Sequence, residues 1–453
     1  MENKKRELDA RIYFALKASL SNFSIVIAAK PKFFDNRNRI RKGIIIFKSI
    51  GINNLKHIRE YKKLGFVIGA LDEEGMMFFS REEYSERIHP PCLESVDIFF
   101  CWGENDYQAL INKFPAQKNK IYKIGNTRID ILKKPLNLKY FKEAETIRKK
   151  YGEFFLVNTM FTKANNMQLI MDKQDYVESL IKYGYKPDSL KVKYARPYLK
   201  FQKENLEHIK NFLSSFSNNN PNKKIIIRPH PGEYSETWIN FSKDKKNIEV
   251  VIDDKSTCSW IVAAKKCISS NCTTSVEGYL LNKISANYKV YQDEKVEFKL
   301  PKLMSCNIKN DDELINYLND ENDFNIDKNY VDDLARQSIY NFDKDQCSVD
   351  YFIDSINSNS YVRDRLYSFD SKDKFSGFLS SIFLNIYYYI RFIYRKIFTK
   401  QNKTMSILLK KKFASIDKSE ISEALNEYKK QLNINEKIKI SKVYPQVYSI
   451  EKE

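Results

Sequence analysis

The sequence predicts an α/β chain of two Rossmann-like domains facing one another, followed by a basic helical tail. Three observations predict it. Short apolar, β-rich runs alternate with amphipathic stretches up to about residue 355. The alternation breaks at a charged stretch, Lys133–Lys150, and then restarts. Past about Asp370 the text changes to an uncharged aromatic run and then to Lys-rich segments.

Each element follows from its pattern. Phe23–Ala29, Gly43–Phe47, Gly65–Leu71, Val96–Cys101 and Lys120–Ile124 read as buried strands of a first parallel sheet. Ile52–Leu64 and Asn105–Phe114 are the helices between them. Lys133–Lys150, with Pro135 near its start, reads as a linker. The second set is Phe154–Asn158, Lys224–Arg228, Ile248–Ile252, Cys267–Ser269 and Ile284–Tyr288, with a helix over Tyr198–Phe216. Asn165–Pro197 is polar and reads as an irregular cover over a cleft. Helical text runs from Asp311 to about Ser355, and the tail after Lys400 reads as one or two Lys-rich amphipathic helices. The domains expected are therefore 1–145, 146–355 and 356–453.

Composition narrows the function classes. The chain has 453 residues, 42% hydrophobic and 14% aromatic, with Gly and Pro at 12 each, which excludes disordered and collagen-like chains. The net charge of +19 points to a polyanionic partner, or to a Lys- and Asn-rich composition throughout. About half of the excess lies in Ser371–Glu453, with 17 basic against 8 acidic residues. Within it Phe375–Ile390 is uncharged, and Arg391, Arg395 and Lys396 follow. At ~16 residues this run is shorter than the ~20 that cross a bilayer. It reads as an anchor lying in an anionic membrane interface, with a span or a packed helix as alternatives. No nucleic-acid-binding signature accompanies the charge. Seven Cys without a CxxC pair and four His give no metal-ligand spacing, so neither metal nor cofactor is expected. Reduced thiols and a charged N-terminus without an apolar run suggest a cytoplasmic protein.

Four short segments follow predicted strands, at the edge where open α/β sheets bind ligands. Asp72-Glu73-Glu74-Gly75 follows the third run. Its crowded acids are expected to raise at least one pKa toward a general base's range; a solvated acidic turn is the plain alternative. Gly125-Asn126-Thr127-Arg128-Ile129-Asp130 offers Arg128 to a carboxylate or phosphate, or as an internal brace, and Asp130 as a helix cap. Arg228-Pro229-His230-Pro231-Gly232-Glu233 holds His230 between two prolines, where it can meet a leaving phosphate. His89-Pro90 shares the dipeptide but follows no strand. Ser269-Ser270-Asn271-Cys272-Thr273-Thr274-Ser275-Val276-Glu277 is a hydroxyl-rich turn into a helix, suited to an anion or to simple capping. Glu277 can accept from ribose hydroxyls; Cys272 is a weak candidate nucleophile with no His nearby in sequence.

These motifs in this order (DEEG, VDIFFCWG, GNTRID, RPHPGE, SSNCTTSVEG) resemble those of bacterial surface carbohydrate biosynthesis proteins, over about residues 10–345. The resemblance implies a GT-B-like fold. More distantly the motifs are similar to those of bacterial sialyl- and polysialyltransferases, which implies a metal-independent transferase using a CMP-linked sugar. It would make Glu73, Glu74 or Asp72 the base and His230 the group that stabilises or protonates the leaving phosphate. Arg128, Arg228, Pro231, Ser270, Thr273, Thr274, Ser275 and Glu277 would hold the donor. Thr127 and Gly278 depart from the pattern, where Pro and Ala are usual. The expected partners are a nucleotide-activated sugar, a glycan or lipid-linked glycan acceptor and an anionic membrane surface, at the inner face of the cytoplasmic membrane in capsule, lipopolysaccharide or similar assembly. A CDP-glycerol-type polyol-phosphate transferase is the nearest alternative; a basic nucleic-acid-binding protein or a non-catalytic scaffold is the alternative of another class.

Overall fold

Two parallel sheets organise the chain, each in its own unit. The computed structural model describes residues 1, 4–30, 32–33, 40–253, 255–320, 326–367 and 415–453. Unit 1 comprises residues 1–76, 81–130 and 336–453, and unit 2 comprises 77–80 and 131–335. The α/β class expected from the sequence is the one adopted, with a helix and a hairpin added at the C-terminal end. The expected boundaries at 145 and 355 fall inside the helices Leu138–Tyr151 and Ser348–Ser358.

The strands, in chain order, are β1 (Ile25–Ala28), β2 (Ile44–Phe47), β3 (Val67–Leu71), β4 (Ile98–Cys101), β5 (Ile121–Lys123), β6 (Phe155–Asn158), β7 (Ile225–Arg228), β8 (Ile248–Val250), β9 (Lys266–Ser269), β10 (Ala286–Tyr288), β11 (Cys306–Ile308), β12 (Ile438–Tyr444) and β13 (Val447–Lys452).

In unit 1, β2-β3-β4-β5 form a parallel sheet in chain order. β3 and β4 are buried at every position, because short runs without charge are covered on both faces. The helix Lys4–Leu20 packs on β1 and β13 and buries Ile12, Ala15 and Leu16, and its Phe14 packs edge-on against Phe352 at 5.0 Å.

The first predicted strand is real but sits elsewhere. β1 pairs antiparallel with β13, Ile25 opposite Ile450, and β13 pairs with β12. The helical reading of the last residues is corrected at the same place. Lys437 and Lys439 alternate with Ile438 and Ile440, which is the period of a strand and not of a helix, and the register shifts once, between Lys442 and Tyr444. Before the hairpin, the helix Lys418–Gln431 is capped by Asp417 and buries Ile421, Leu425 and Tyr428, the last against Tyr13 at 5.7 Å. The proposed anchor, Phe375–Lys396, lies outside the described residues. Among the described residues no helix is long and apolar enough to cross a membrane.

In unit 2 six parallel strands run in the order β11-β10-β9-β6-β7-β8. Numbered within the unit and read from the β8 edge, that order is 3-2-1-4-5-6, the doubly wound arrangement of dinucleotide-type sheets. Its core gathers Phe155, Val157, Ile225, Ile227 and Ile268 from the strands and Leu206, Ile209, Phe212 and Leu213 from the helix Leu190–Asn219. Three readings change. The charged linker is largely the helix Leu138–Tyr151, whose Tyr140, Ala144 and Ile147 recur at helical spacing and are buried. The irregular insert holds the helices Met167–Met171 and Tyr176–Lys182, capped by Asn166 and Asp175. β11 is a strand the sequence did not announce; its short, polar run Cys306-Asn307-Ile308 lies at a sheet edge.

The hairpin closes a sheet with β1, so its apolar face carries stability. Ile450→Ala removes a fully buried side chain and should cost about 2–5 kcal/mol. Chemical denaturation of the full chain checks this; an unchanged midpoint would mean the hairpin is not part of the cooperative unit.

Candidate active site

Each unit carries a group of predicted residues at the carboxyl edge of its sheet. In unit 1 the acidic turn follows β3 directly. Asp72 Oδ1 accepts from Glu74 N at 3.1 Å, and Glu73 N donates to Lys48 O at 3.0 Å. Trp102, just past β4, lies over the turn and donates from Nε1 to Asp72 O at 2.6 Å. A Cβ at position 75 would stand 2.4 Å from the indole, so only glycine fits there.

The three acids differ. Asp72 is buried and faces Arg87 at 3.4 Å; burial pushes its carboxyl up, against that guanidinium. Glu73 is buried and pairs with Arg11 through Oε1, while its Oε2 has no hydrogen-bond partner. Burial alone would raise it, but Arg11, Arg128, Arg6 and Lys48 hold it below the usual carboxylate range. Glu74 is 41% exposed at the side chain and pairs with Arg6 at 3.0 Å. Burial of its charge is outweighed by Arg6, Arg87, Lys48 and Arg128, which hold it at about 2. So burial raises one acid, and five cations lower the other two.

Sequence reasoning missed Arg6, Arg11 and Arg87. The first two lie on a charged N-terminal helix with no motif around them, and only packing brings that helix to the strand end.

The GNTRID segment follows β5. Arg128 is buried with its guanidinium 5.9 Å over the Trp102 ring. Asp130 is a brace and cap, but not for the next helix. It accepts from Asn341 Nδ2 at 2.6 Å and from Ser348 N at 2.9 Å and Oγ at 2.6 Å, so it caps Ser348–Ser358.

In unit 2 the strand ends align. Asn158 at the end of β6 lies opposite Arg228 on β7 and Ser269 on β9. The strand order reverses between β6 and β9, which makes this the switch point where such sheets bind ligands. Arg228 pairs with Asp253 at 2.8 Å, donates to Lys255 O at 3.1 Å and lies 5.0 Å over the Trp260 ring. His230 is half-buried; its Nδ1 accepts from Gly232 N at 3.0 Å and its N–H donates to Thr159 Oγ1 at 3.2 Å. Pro231 is half-buried between them. Glu233 is buried, which pushes it up, and it accepts from Thr159, Phe161, Asn165 and Trp238.

The hydroxyl turn after β9 divides. Ser270 Oγ is buried without a hydrogen-bond partner. Thr273 is half-buried and its side chain does not cap the helix Thr274–Leu280. Thr274 sits beside the Cys272 thiol. Ser275 is fully buried in a triangle with Ser269 (3.0 Å) and Ser285 (3.2 Å), so its hydroxyl serves the core. Glu277 is half-buried in the first turn of that helix. Burial pushes the Cys272 thiol up to about 11, so it is a thiol at neutral pH and a poor nucleophile. Asn271 holds the turn with φ at 50°, bonding Asn287, Val296 and Phe298. Thr159 was missed, although the strand-end rule applied to Phe154–Asn158 points straight at it. Among the described residues no cluster of His, Cys, Asp and Glu has a metal-holding arrangement.

No family model matches the chain, and no curated protein matches it. Among solved structures it is similar to UDP-GlcNAc 2-epimerase from Methanocaldococcus jannaschii, at 16% identity over 65% of this chain and 76% of that one, with a TM-score of 0.37. It is similar to the wall teichoic acid polymerase TagF at 12% identity, over 62% of this chain and 59% of that one, with a TM-score of 0.35. For accessory secretory protein 1,2 and 3 in Streptococcus pneumoniae the values are 10%, 73%, 57% and 0.36. The chain therefore spans less than two thirds of the last two. Likeness at this level carries no argument about activity.

The ion cluster of unit 1 makes acid stability a test. Glu74 has a folded pKa below its unfolded value, so its contribution is present above about pH 4.5 and is lost as pH falls toward about 2. Glu74→Gln should flatten that limb of the stability curve in melts from pH 2 to 6. Arg11→Ala leaves the buried Glu73 without its ion pair and should cost about 3 kcal/mol. A melting temperature unchanged at pH 7 would show that Arg11 does not hold Glu73.

Proposed function

We propose that this chain is a metal-independent transferase of surface glycan assembly that takes a nucleotide-activated donor. The donor we favour is a CMP-linked ulosonic or sialic-type sugar, and the acceptor is a glycan or lipid-linked glycan at the inner membrane face. The observation that carries the reading is the switch point of unit 2. It brings His230 and the unpartnered hydroxyl of Ser270 to one edge of a doubly wound sheet, beside the half-buried Thr273 and Glu277. A donor phosphate would take hydrogen bonds from His230 and the hydroxyl turn, and Glu277 would accept from ribose. Arg228 and Ser275 support the site rather than touch the donor, given their protein partners.

The acceptor base is sought in unit 1. Glu74 is the one of the three acids with an open side chain, 41% exposed against 1% for Glu73 and 4% for Asp72. With Arg6 attached it is a weak base, so the acceptor must draw that guanidinium away.

Thermal shifts with CMP, CDP, UDP and GDP should show a rise for cytidine nucleotides, because a ligand that binds only the folded chain stabilises it. No shift with any of the four would remove the donor site. His230→Ala should lower turnover at least ~10²-fold while leaving the melting curve unchanged; undiminished turnover would take His230 out of the site. Turnover with CDP-glycerol and not with CMP-sugars would select the polyol-phosphate reading. Exchanging Arg391, Arg395 and Lys396 for Gln should release the full chain from anionic vesicles in a sedimentation assay, and continued pelleting would overturn the anchor.

A further inference from the structure

The surroundings of His230 fix more than its position. Its Nδ1 accepts from Gly232 N–H at 3.0 Å. A ring nitrogen that accepts carries no proton, so the neutral imidazole holds its proton on Nε2. The turn that supplies this N–H is anchored in its own right. His230 N–H donates to Thr159 Oγ1 at 3.2 Å, and that hydroxyl has a single hydrogen, given to Glu233 Oε1 at 2.7 Å.

Glu233 is saturated. Oε1 accepts from Thr159 Oγ1 and Phe161 N (2.9 Å), and Oε2 accepts from Asn165 Nδ2 (3.1 Å) and Trp238 Nε1 (2.9 Å). Four donors meet the four acceptor sites of one carboxylate. The Phe161, Asn165 and Trp238 N–H groups can only donate, and toward the Glu233 carboxylate so does the Thr159 hydroxyl, which leaves Thr159 Oγ1 to accept from the His230 backbone. The loops after β6 and β7 are thereby tied together, and Met167 N donating to Gly232 O at 3.2 Å closes the tie.

We infer that Thr159 and Glu233 are positioning residues that hold His230 as a neutral Nε2–H donor at the switch point. Its purpose rests on the transferase reading above. The chemistry then selects between two roles for this side chain. A neutral imidazole that gave up its Nε2 proton would become an imidazolate. An imidazolium, which has a proton to give, needs Nδ1–H, and that would point at the Gly232 N–H. His230 therefore stabilises a leaving phosphate by a hydrogen bond and does not protonate it; the departing oxygen keeps its charge.

The test needs no substrate. The full chain has four His, so side-chain nitrogen NMR gives four imidazoles, and His230→Gln identifies the one that disappears. The expected result at pH 7 is an unprotonated Nδ1 and a protonated Nε2 on His230. Thr159→Val should add the Nδ1–H or doubly protonated form, and Thr159→Ser should restore the wild-type pattern. If Thr159→Val folds poorly, Gly232→Ala supplies the same readout, since its Cβ would stand 3.3 Å from Nδ1. A proton on Nδ1 in the wild type overturns the inference, and so does a Thr159→Val protein that folds with an unchanged pattern. If the imidazole behaves as expected and no nucleotide binds, the transferase reading falls alone.

Discussion

Parallel strands that run in register also finish in register, and that constraint places most of the chemically active side chains in both units. A four-residue strand such as β6 has no room for polar groups inside the sheet, so they gather where it stops. Asn158, Arg228 and Ser269 stand side by side because the strands bearing them are paired there, not because anything in the local sequence links them.

The acidic turn of unit 1 and Glu233 of unit 2 handle charge in opposite ways. Unit 1 packs Asp72, Glu73 and Glu74 among Arg6, Arg11, Lys48, Arg87 and Arg128, and buried charges of one sign persist because the other sign is at hand. Unit 2 buries Glu233 at the corresponding place and satisfies it with neutral donors, while Glu297 is buried against Lys289, just past β10. The first arrangement responds to salt and pH. The second fixes geometry.

The sequence revealed what is local. Apolar runs located nine of the ten parallel strands, and the strand-end rule found the DEEG, GNTRID, RPHPGE and SSNCTTSVEG turns where they lie. It did not reveal what packing decides. β1 has the composition of a parallel strand, yet its partner is more than four hundred residues away, and no window of sequence contains both. Arg6 and Arg11 carry no motif because their partners are supplied by a different element. One acid of the turn, Asp72, is raised as its burial led us to expect, but the lowering of Glu73 and Glu74 was hidden for the same reason: the acids are visible in the text, and the cations that govern them are not. In the tail a helix is found as expected over Lys418–Gln431, and only the last residues were misread, although the alternation from Lys437 to Ile440 already had a strand's period.

The pairing of β1 with β13 also orders events during synthesis. The ribosome releases residues 131–335 while the closing hairpin has yet to be made, so unit 2 has all its sequence before unit 1 does. Until residue 452 emerges, β1 lacks the neighbour that covers its edge, and an unpaired strand edge invites association with other chains. The cover of β1 is thus made more than four hundred residues after the strand itself, and its protection waits on that synthesis.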